Sequence, residues 1–412
     1  MSPDADIKKH RTSQVTLTLL DENRRPFANR EVTIAQKNHK FLFGITGSGV
    51  ISLANNELTG DTKSQAELHN EKLLKLFNFV TLPFYWGRFE PKRGQPDTKR
   101  IINTAKWFVE RGCLVKGHPL CWHTVGADWL LPLSNAEIIQ AQRSRITRDV
   151  KDFTGPIDMW DVINEVVIMP IFDKYDNGIT RICRELGRIG IIRMTFDAAR
   201  AANPRATLLL NDFDLSAAFE CLIEGVLEAG IKIDALGLQS HMHQGYWGVE
   251  KTLGILERYA RYKLPIHFTE NTLVSGKIMP PEIVDLNDYQ VDSWPTTPEG
   301  EARQAQEVVQ HYKTLFAHPS VEAVTWWGLE DGGWLKAPSG LVRADHSPKP
   351  AYDNLLKLVK GDWWLPPTKF TTNPQGQLQF TGYLGEYTAS SAGKTKSIHL
   401  TQKGPANLEL QL

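Results

Sequence analysis

Eight short apolar runs, separated by segments of helical period and spaced over about 290 residues, constrain the fold of this chain more than any other feature. They are FLFGI (41–45), FNFVTLPFYW (77–86), CLVKGHPLCW (113–122), IDMWDVINE (157–165), TLLLNDF (207–213), IDALGLQSH (233–241), PIHFTEN (265–271) and VEAVTWWGL (321–329). A strand that is apolar at nearly every position is buried on both faces, as in a parallel sheet covered by helices. The intervening segments fit that role. SNAEIIQAQRSRITRDV carries Ser134 and Glu137 at capping-box spacing, and PEGEARQAQEVVQHYKTLF follows a helical apolar pattern. Eight strand–helix units predict an α/β chain whose residues 41–362 close into a (β/α)8 barrel, with a doubly wound open sheet as the alternative.

The flanks follow a different period. Val15, Leu17 and Leu19 alternate with Thr16 and Thr18, a turn-rich DENRRPFAN follows, and Val32 and Ile34 resume the alternation, which predicts a β-hairpin extension over 1–40. From 363 to 412, GQLQFTGY, GEYTAS and KSIHL predict short strands joined by Gly and Asn turns. Neither end is long enough to build its own core, so the two are expected to pack together or on the barrel. The segment SGKIMPPEIVDLNDYQVDSWPT, after Leu273, is a connection long enough to expect a functional or mobile loop.

Charge narrows the partners. With 47 basic and 47 acidic side chains, the chain has no electrostatic footprint for a phosphate backbone or an anionic bilayer. No apolar stretch is long enough to span a membrane, so neither nucleic acid nor membrane is expected as a partner. Cys113, Cys121, Cys183 and Cys221 lack CxxC or CxxH spacing, which argues for reduced thiols. MSPDADIKKHRTSQ is followed by no apolar h-region, so a cytoplasmic location is expected, or a secreted one if a leader has been removed.

In such a barrel the reacting groups project from the C-terminal ends of strands. Polar residues close five of the runs there: His118, Trp122 and His123; Asn164 and Glu165; Asn211 and Asp212; Gln239 and His241; Glu270 and Asn271. Glu165 and Glu270 end the fourth and seventh runs and would face each other across the mouth. Two opposed carboxylates are what acetal hydrolysis needs, one to protonate the leaving oxygen and one to attack or to activate water. Trp86, Trp122, Trp326, Trp327 and Trp334 fall at or just beyond strand ends, where indole faces stack on sugar rings. His118 and His241 have no third ligand at metal spacing, so they read as hydrogen-bond partners, with no metal and no cofactor expected.

The motifs GHPLCWH (117–123), WDVINE (160–165), LLLNDFD (208–214), LGLQSH (236–241), TEN (269–271) and WWGLEDGGW (326–334) resemble those of glycoside hydrolase family 10, the endo-β-1,4-xylanase family. The resemblance runs from about residue 41 to Trp363. It implies a β-linked oligo- or polysaccharide substrate of the xylan type, with Glu165 as general acid/base and Glu270 as nucleophile of a retaining double displacement. It further implies that Asn164 holds the sugar 2-hydroxyl, that His118 and Trp122 line the subsite of bond cleavage, that Gln239 and His241 orient Glu270, and that Trp327 and Trp334 form an aromatic wall.

Two departures stand out. TLPFYWGRFEP places Leu82, Pro83, Phe84 and Tyr85 where the family has a polar grip on the next glycone sugar, leaving Tyr85 and Trp86 as stacking surfaces at most. Thr272 stands where the family has an aspartate bonded to the histidine matching His241. An exo-acting enzyme, or one restricted to short or aryl β-glycosides, is therefore the alternative activity, and a non-catalytic carbohydrate-binding protein the alternative class.

Overall fold

Each of the eight apolar runs contains one strand of a closed parallel barrel in the computed structural model, which describes residues 2–412. Two strands precede the barrel, β1 (Thr12–Leu20) and β2 (Glu31–His39). The barrel itself is β3 (Leu42–Thr46), β4 (Phe79–Pro83), β5 (Leu114–His118), β6 (Met159–Asn164), β7 (Thr207–Asp212), β8 (Ala235–Met242), β9 (Ile266–Leu273) and β10 (Val321–Trp326), closed by parallel pairing of β10 with β3. Five strands follow: β11 (Thr368–Thr371), β12 (Gln377–Tyr383), β13 (Gly385–Ser391), β14 (Lys394–Leu400) and β15 (Gly404–Gln411). The (β/α)8 expectation holds, and the open-sheet alternative does not.

Helices pack outside because the sequence starts and stops them locally. Ser134 caps Asn135–Asp152 with the full reciprocal box to Glu137, and the Thr297 side chain caps Pro298–Ala317. Arg145 on the first of these is only 3% exposed, and its guanidinium donates to the carbonyls of Leu120, Pro119 and Phe84. One buried cation thus ties together the ends of β4 and β5, where side chains enter the mouth. Close approach inside the barrel explains two glycines. A Cβ on Gly117 would fall 2.1 Å from the Trp160 ring, and one on Gly237 would fall 2.3 Å from Asn211 Oδ1. Gly237 therefore makes room for an asparagine that proves central to the site.

The expected N-terminal hairpin does not form. β1 pairs antiparallel with β12 and parallel with β15, while β2 pairs with β11 and β13 in a second sheet. Alternation identifies a strand but not its partner, and the nine residues of DENRRPFAN are enough to carry the chain across from one sheet to the other. The two sheets enclose a separate small core of Val15, Leu17, Ile34, Phe380, Tyr387 and Ile398.

The charged N-terminus holds a helix, Pro3–Arg11, capped by Ser2. Arg11 at its end donates to the carbonyls of Phe316, His318 and Val321 at the base of β10, which joins the two-sheet module to the barrel. The four cysteines are free, three of them buried. No helix among the described residues is long and apolar enough to cross a membrane.

Candidate active site

The chain turns sharply after β6, and Glu165 takes a left-handed backbone conformation with φ 57°. Such a conformation is uncommon for a residue with a Cβ and is typical of sites where the surrounding structure enforces it. Enforcement comes from its own amide, which donates to the Asn211 carbonyl at 2.9 Å. The half-buried carboxylate accepts from Trp122 Nε1 at 2.7 Å and from Gln239 Nε2 at 3.1 Å. Burial, reinforced by the negative charge of Glu270, pushes its pKa up to about 8.

Glu270, on β9, lies in a different field. Its carboxylate is 5% exposed and accepts from Asn211 Nδ2 at 3.0 Å and from His241 Nε2 at 3.1 Å, with His118 Nε2 at 3.9 Å. Burial by itself would push its pKa up. The charge of His118 and the hydrogen bond from His241 outweigh burial and hold the group below the ordinary glutamate value. His118 is in turn fixed from behind, its Nδ1 lying 2.8 Å from Asp161 Oδ2, an oxygen that also meets Lys116 Nζ at 2.6 Å. Lys116 and Asp161 are both 0% exposed, so an ion pair inside the barrel fixes the direction of the His118 ring, with Nδ1–H donating to Asp161.

A chain of amides connects the two glutamates. Asn211 Nδ2 donates to both Glu270 and Asn164 Oδ1, and Gln239 Nε2 donates to both Glu165 and that same Asn164 oxygen. Thr269 Oγ1 fixes the flip of Asn211 by donating to its Oδ1 at 2.6 Å. With its oxygen held by two donors, Asn164 keeps its amide N–H groups for a ligand in the mouth.

The structure brings Glu165, Glu270, His118, Trp122, Asn164, Gln239, His241, Tyr85, Trp327 and Trp334 to one end of the barrel. It differs in three details from the positions expected of them. Gln239 bonds Glu165 and Asn164 rather than Glu270, because Asn211 on β7, reaching over Gly237, already occupies the Glu270 oxygen. Asn211 was visible as a polar residue closing its run, but strand position alone does not give a bonding partner.

Trp86 is not in the mouth. The helical turn Trp86–Phe89 directs its indole inward, where it is 4% exposed, donates to Glu90 and packs under the Arg145 guanidinium at 4.8 Å. Trp326 is likewise core, its indole bonded to the Ser339 carbonyl. Thr272, thirdly, faces His243 at 3.4 Å, and His241 Nδ1 has no partner. The proton that His241 shares with Glu270 is therefore assigned to Nε2.

The end of β4 is apolar as read. Leu82 and Phe84 are 0% exposed, and Phe84 packs among Phe89, Phe153 and Trp160. Only Tyr85 turns to the mouth, its ring 5.7 Å from His118 and 5.6 Å from Trp122. On the other side Trp327 lies 5.2 Å from His118, and Trp334 lies 4.7 Å from His241. The Trp334 indole donates to Asn287 of the long loop after β9, a loop organised around Val274, Met279 and Trp294.

Comparison with known proteins gives concordant results. A family model, glycosyl hydrolase family 10, matches residues 48–358. Endo-1,4-beta-xylanase 3 of Hypocrea jecorina is 26% identical over 288 residues, covering 67% of this chain and 73% of that protein. The anti-sigma-I factor RsgI6 of Acetivibrio thermocellus is 25% identical over 403 residues, which is 95% of this chain and 46% of that protein. Among solved structures, xylanase 10B from Thermotoga petrophila RKU-1 in complex with xylobiose aligns with a TM-score of 0.63 at 21% identity, over 78% of this chain and 95% of that one. At that identity the likeness speaks for the barrel fold.

Proposed function

The chain belongs to glycosyl hydrolase family 10 and is an endo-1,4-β-xylanase-like glycoside hydrolase, and from that premise we propose a retaining double displacement on β-1,4-xylosidic bonds with Glu270 as nucleophile and Glu165 as acid/base. The observation that carries this reading is the unlike surroundings of two carboxylates at one barrel mouth, Glu165 half-buried against Trp122 and Gln239, Glu270 held by the N–H groups of Asn211 and His241. Glu165 keeps its proton up to about pH 8, while Glu270 is held ionised. Glu270 attacks the anomeric carbon as Glu165 delivers its proton to the departing glycosidic oxygen. The glycosyl ester so formed removes the charge on Glu270 that had added to burial in raising the Glu165 pKa. Glu165 then becomes a competent base, takes a proton from water, and the resulting attack releases sugar and restores Glu270. The Asn164 amide is positioned to donate to the 2-hydroxyl. Relatives named as endo-1,4-beta-xylanases support xylan as the polymer.

Removing the acid should hurt substrates in proportion to their need for it. In Glu165→Ala, turnover of aryl glycosides with good leaving groups is expected to fall little in the first step, while xylan hydrolysis falls by about 10²- to 10⁴-fold. The pH profile of kcat/KM supplies a second readout. Activity needs Glu165 protonated and Glu270 ionised, so the wild-type profile is a bell with its alkaline limb near 8 and its acid limb below the ordinary glutamate range. The alkaline limb should vanish in the variant. If it persists unchanged, Glu165 is not the acid.

The apolar end of β4 favours a restricted glycone side. Hydroxyls of a sugar placed against Pro83 would lose water without gaining partners, at about 1 to 3 kcal/mol per unsatisfied group. Tyr85 offers one hydroxyl and a ring face, and little else. From xylobiose through xylohexaose, kcat/KM is expected to level off early, with polymeric xylan a poor substrate beside short or aryl-linked ones. A steep gain for each sugar added on the glycone side would return the enzyme to ordinary internal cleavage of long chains. The intact carboxylate pair speaks against a purely binding protein.

A further inference from the structure

Three metal-ligand side chains from distant parts of the chain meet beside the loop that carries Trp327 and Trp334. His69 belongs to the helix Gly60–Leu76, Glu330 to the loop after β10, and His346 to the turn that precedes the helix Pro350–Lys357. One ligand atom from each lies within 4.8 Å of the others. The Nδ1 atoms of His69 and His346 both stand 2.5 Å from the same Glu330 Oε1, closer than ordinary N–H···O bonds of about 2.7 to 3.2 Å. Neither Nδ1 has another partner. Two imidazole nitrogens and a carboxylate oxygen therefore converge on one point with nothing else to satisfy them.

We propose that His69, Glu330 and His346 bind a divalent transition-metal ion, Zn²⁺ by preference, which fastens the loop after β10 to the helix after β3. The chemistry of the donors selects the ion. Two imidazoles with one carboxylate suit Zn²⁺, whereas Ca²⁺ and Mg²⁺ prefer all-oxygen shells. A small opening of the triad would accommodate metal–ligand bonds of about 2.0 to 2.2 Å. The side chains are 14%, 35% and 28% exposed, so an ion can enter from solvent and a water can complete a tetrahedron. None of the three belongs to the carboxylate machinery. The role inferred is a tether, because barrel closure between β10 and β3 is where the last unit meets the first. The sequence hid this cluster, since its members are separated by hundreds of residues on one side and follow no ligand spacing.

The test uses the full chain, stripped with a chelator and titrated with ZnCl₂ by calorimetry, with Co²⁺ as a spectroscopic stand-in. One equivalent should bind, visible d–d absorption should appear with Co²⁺, and saturating Zn²⁺ should raise the melting temperature by about 3 to 5 °C. Glu330→Gln keeps the size and hydrogen-bonding capacity of the side chain but weakens it as a ligand, so it should lower Zn²⁺ affinity by about 100-fold while circular dichroism stays unchanged. The double variant His69→Gln, His346→Gln should abolish one-equivalent binding and the thermal shift together. Failure of the wild-type chain to bind one equivalent at about 100 μM Zn²⁺ would overturn the proposal, as would undiminished binding in either variant. In the first case the triad is a hydrogen-bonded cluster; in the second the ion sits elsewhere.

Discussion

Replacing Glu270 with alanine is expected to lower turnover of every β-glycoside by about 10⁴-fold or more, a loss of about 5.5 kcal/mol of transition-state stabilisation. No leaving group rescues this variant, in contrast to Glu165→Ala, because the missing step is formation of the bond to the anomeric carbon. The surroundings offer no substitute nucleophile. Asn211 and His241 present N–H groups to the Glu270 carboxylate, and the next carboxylate behind His118, Asp161, is 0% exposed. Added azide supplies the decisive readout. In Glu270→Ala an external anion can enter the vacated space and react once, giving a glycosyl azide of inverted configuration. In Glu165→Ala it should intercept the glycosyl-enzyme and give the retained product. Activity above a tenth of wild type in Glu270→Ala, or the two stereochemical outcomes exchanged, would remove the assignment. Glu270→Gln, which keeps an acceptor for His241, guards against loss by misfolding alone.

The second large effect lies beneath the site. Asp161→Asn is expected to cost about 3 to 5 kcal/mol of stability in urea denaturation, because it strands the Lys116 ammonium in the barrel without a counter-charge. Lys116 is 0% exposed and meets Asp161 at 2.6 Å, so water cannot replace the lost partner. The companion Lys116→Met, Asp161→Asn removes both charges, and the asparagine oxygen can still accept from His118 Nδ1. It should recover more than half of the loss, since an ion pair taken out whole costs far less than one broken in half. A single-variant loss of less than about 1 kcal/mol would mean that the buried pair contributes little.

The barrel was legible because burial on both faces leaves strands apolar along their length, so each of the eight runs stood apart from its helical neighbours. Strand ends were legible for the complementary reason. Glu165, Glu270, Asn211 and His241 are polar residues terminating apolar runs, and a polar group there ordinarily enters the mouth or caps a helix. Asp212 does neither, its buried carboxylate accepting instead from the loop backbone of Val167 and Asp214 at 3.0 Å each.

Partnership was not legible. Asn211 makes the contact to Glu270 expected of Gln239, and Gln239 bonds Glu165, because a side-chain amide reaches across to neighbouring strands and packing around Gly237 decides which. Trp86 leaves the mouth because one helical turn after β4 rotates its indole inward, a step that residue type does not record. The alternation of β1 and β2 marks them as strands, yet their partners lie beyond the barrel in the sequence.

That last feature governs the order in which the molecule can be completed. β1 and β2 leave the ribosome before the barrel, but the strands that pair with them, β11, β12, β13 and β15, follow roughly 330 residues later. At about 5 to 20 residues per second, this leaves some 15 to 70 s in which two amphipathic strands have unpaired edges and no core to enter. The barrel, built from neighbours in sequence, can assemble during that interval, whereas the two-sheet module must wait for the last strand and pay a long loop-closure entropy when it forms. The interleaving therefore makes the sandwich a late event. Until it closes, the alternating faces of β1 and β2 are the part of the nascent chain most exposed to pairing with the wrong edge.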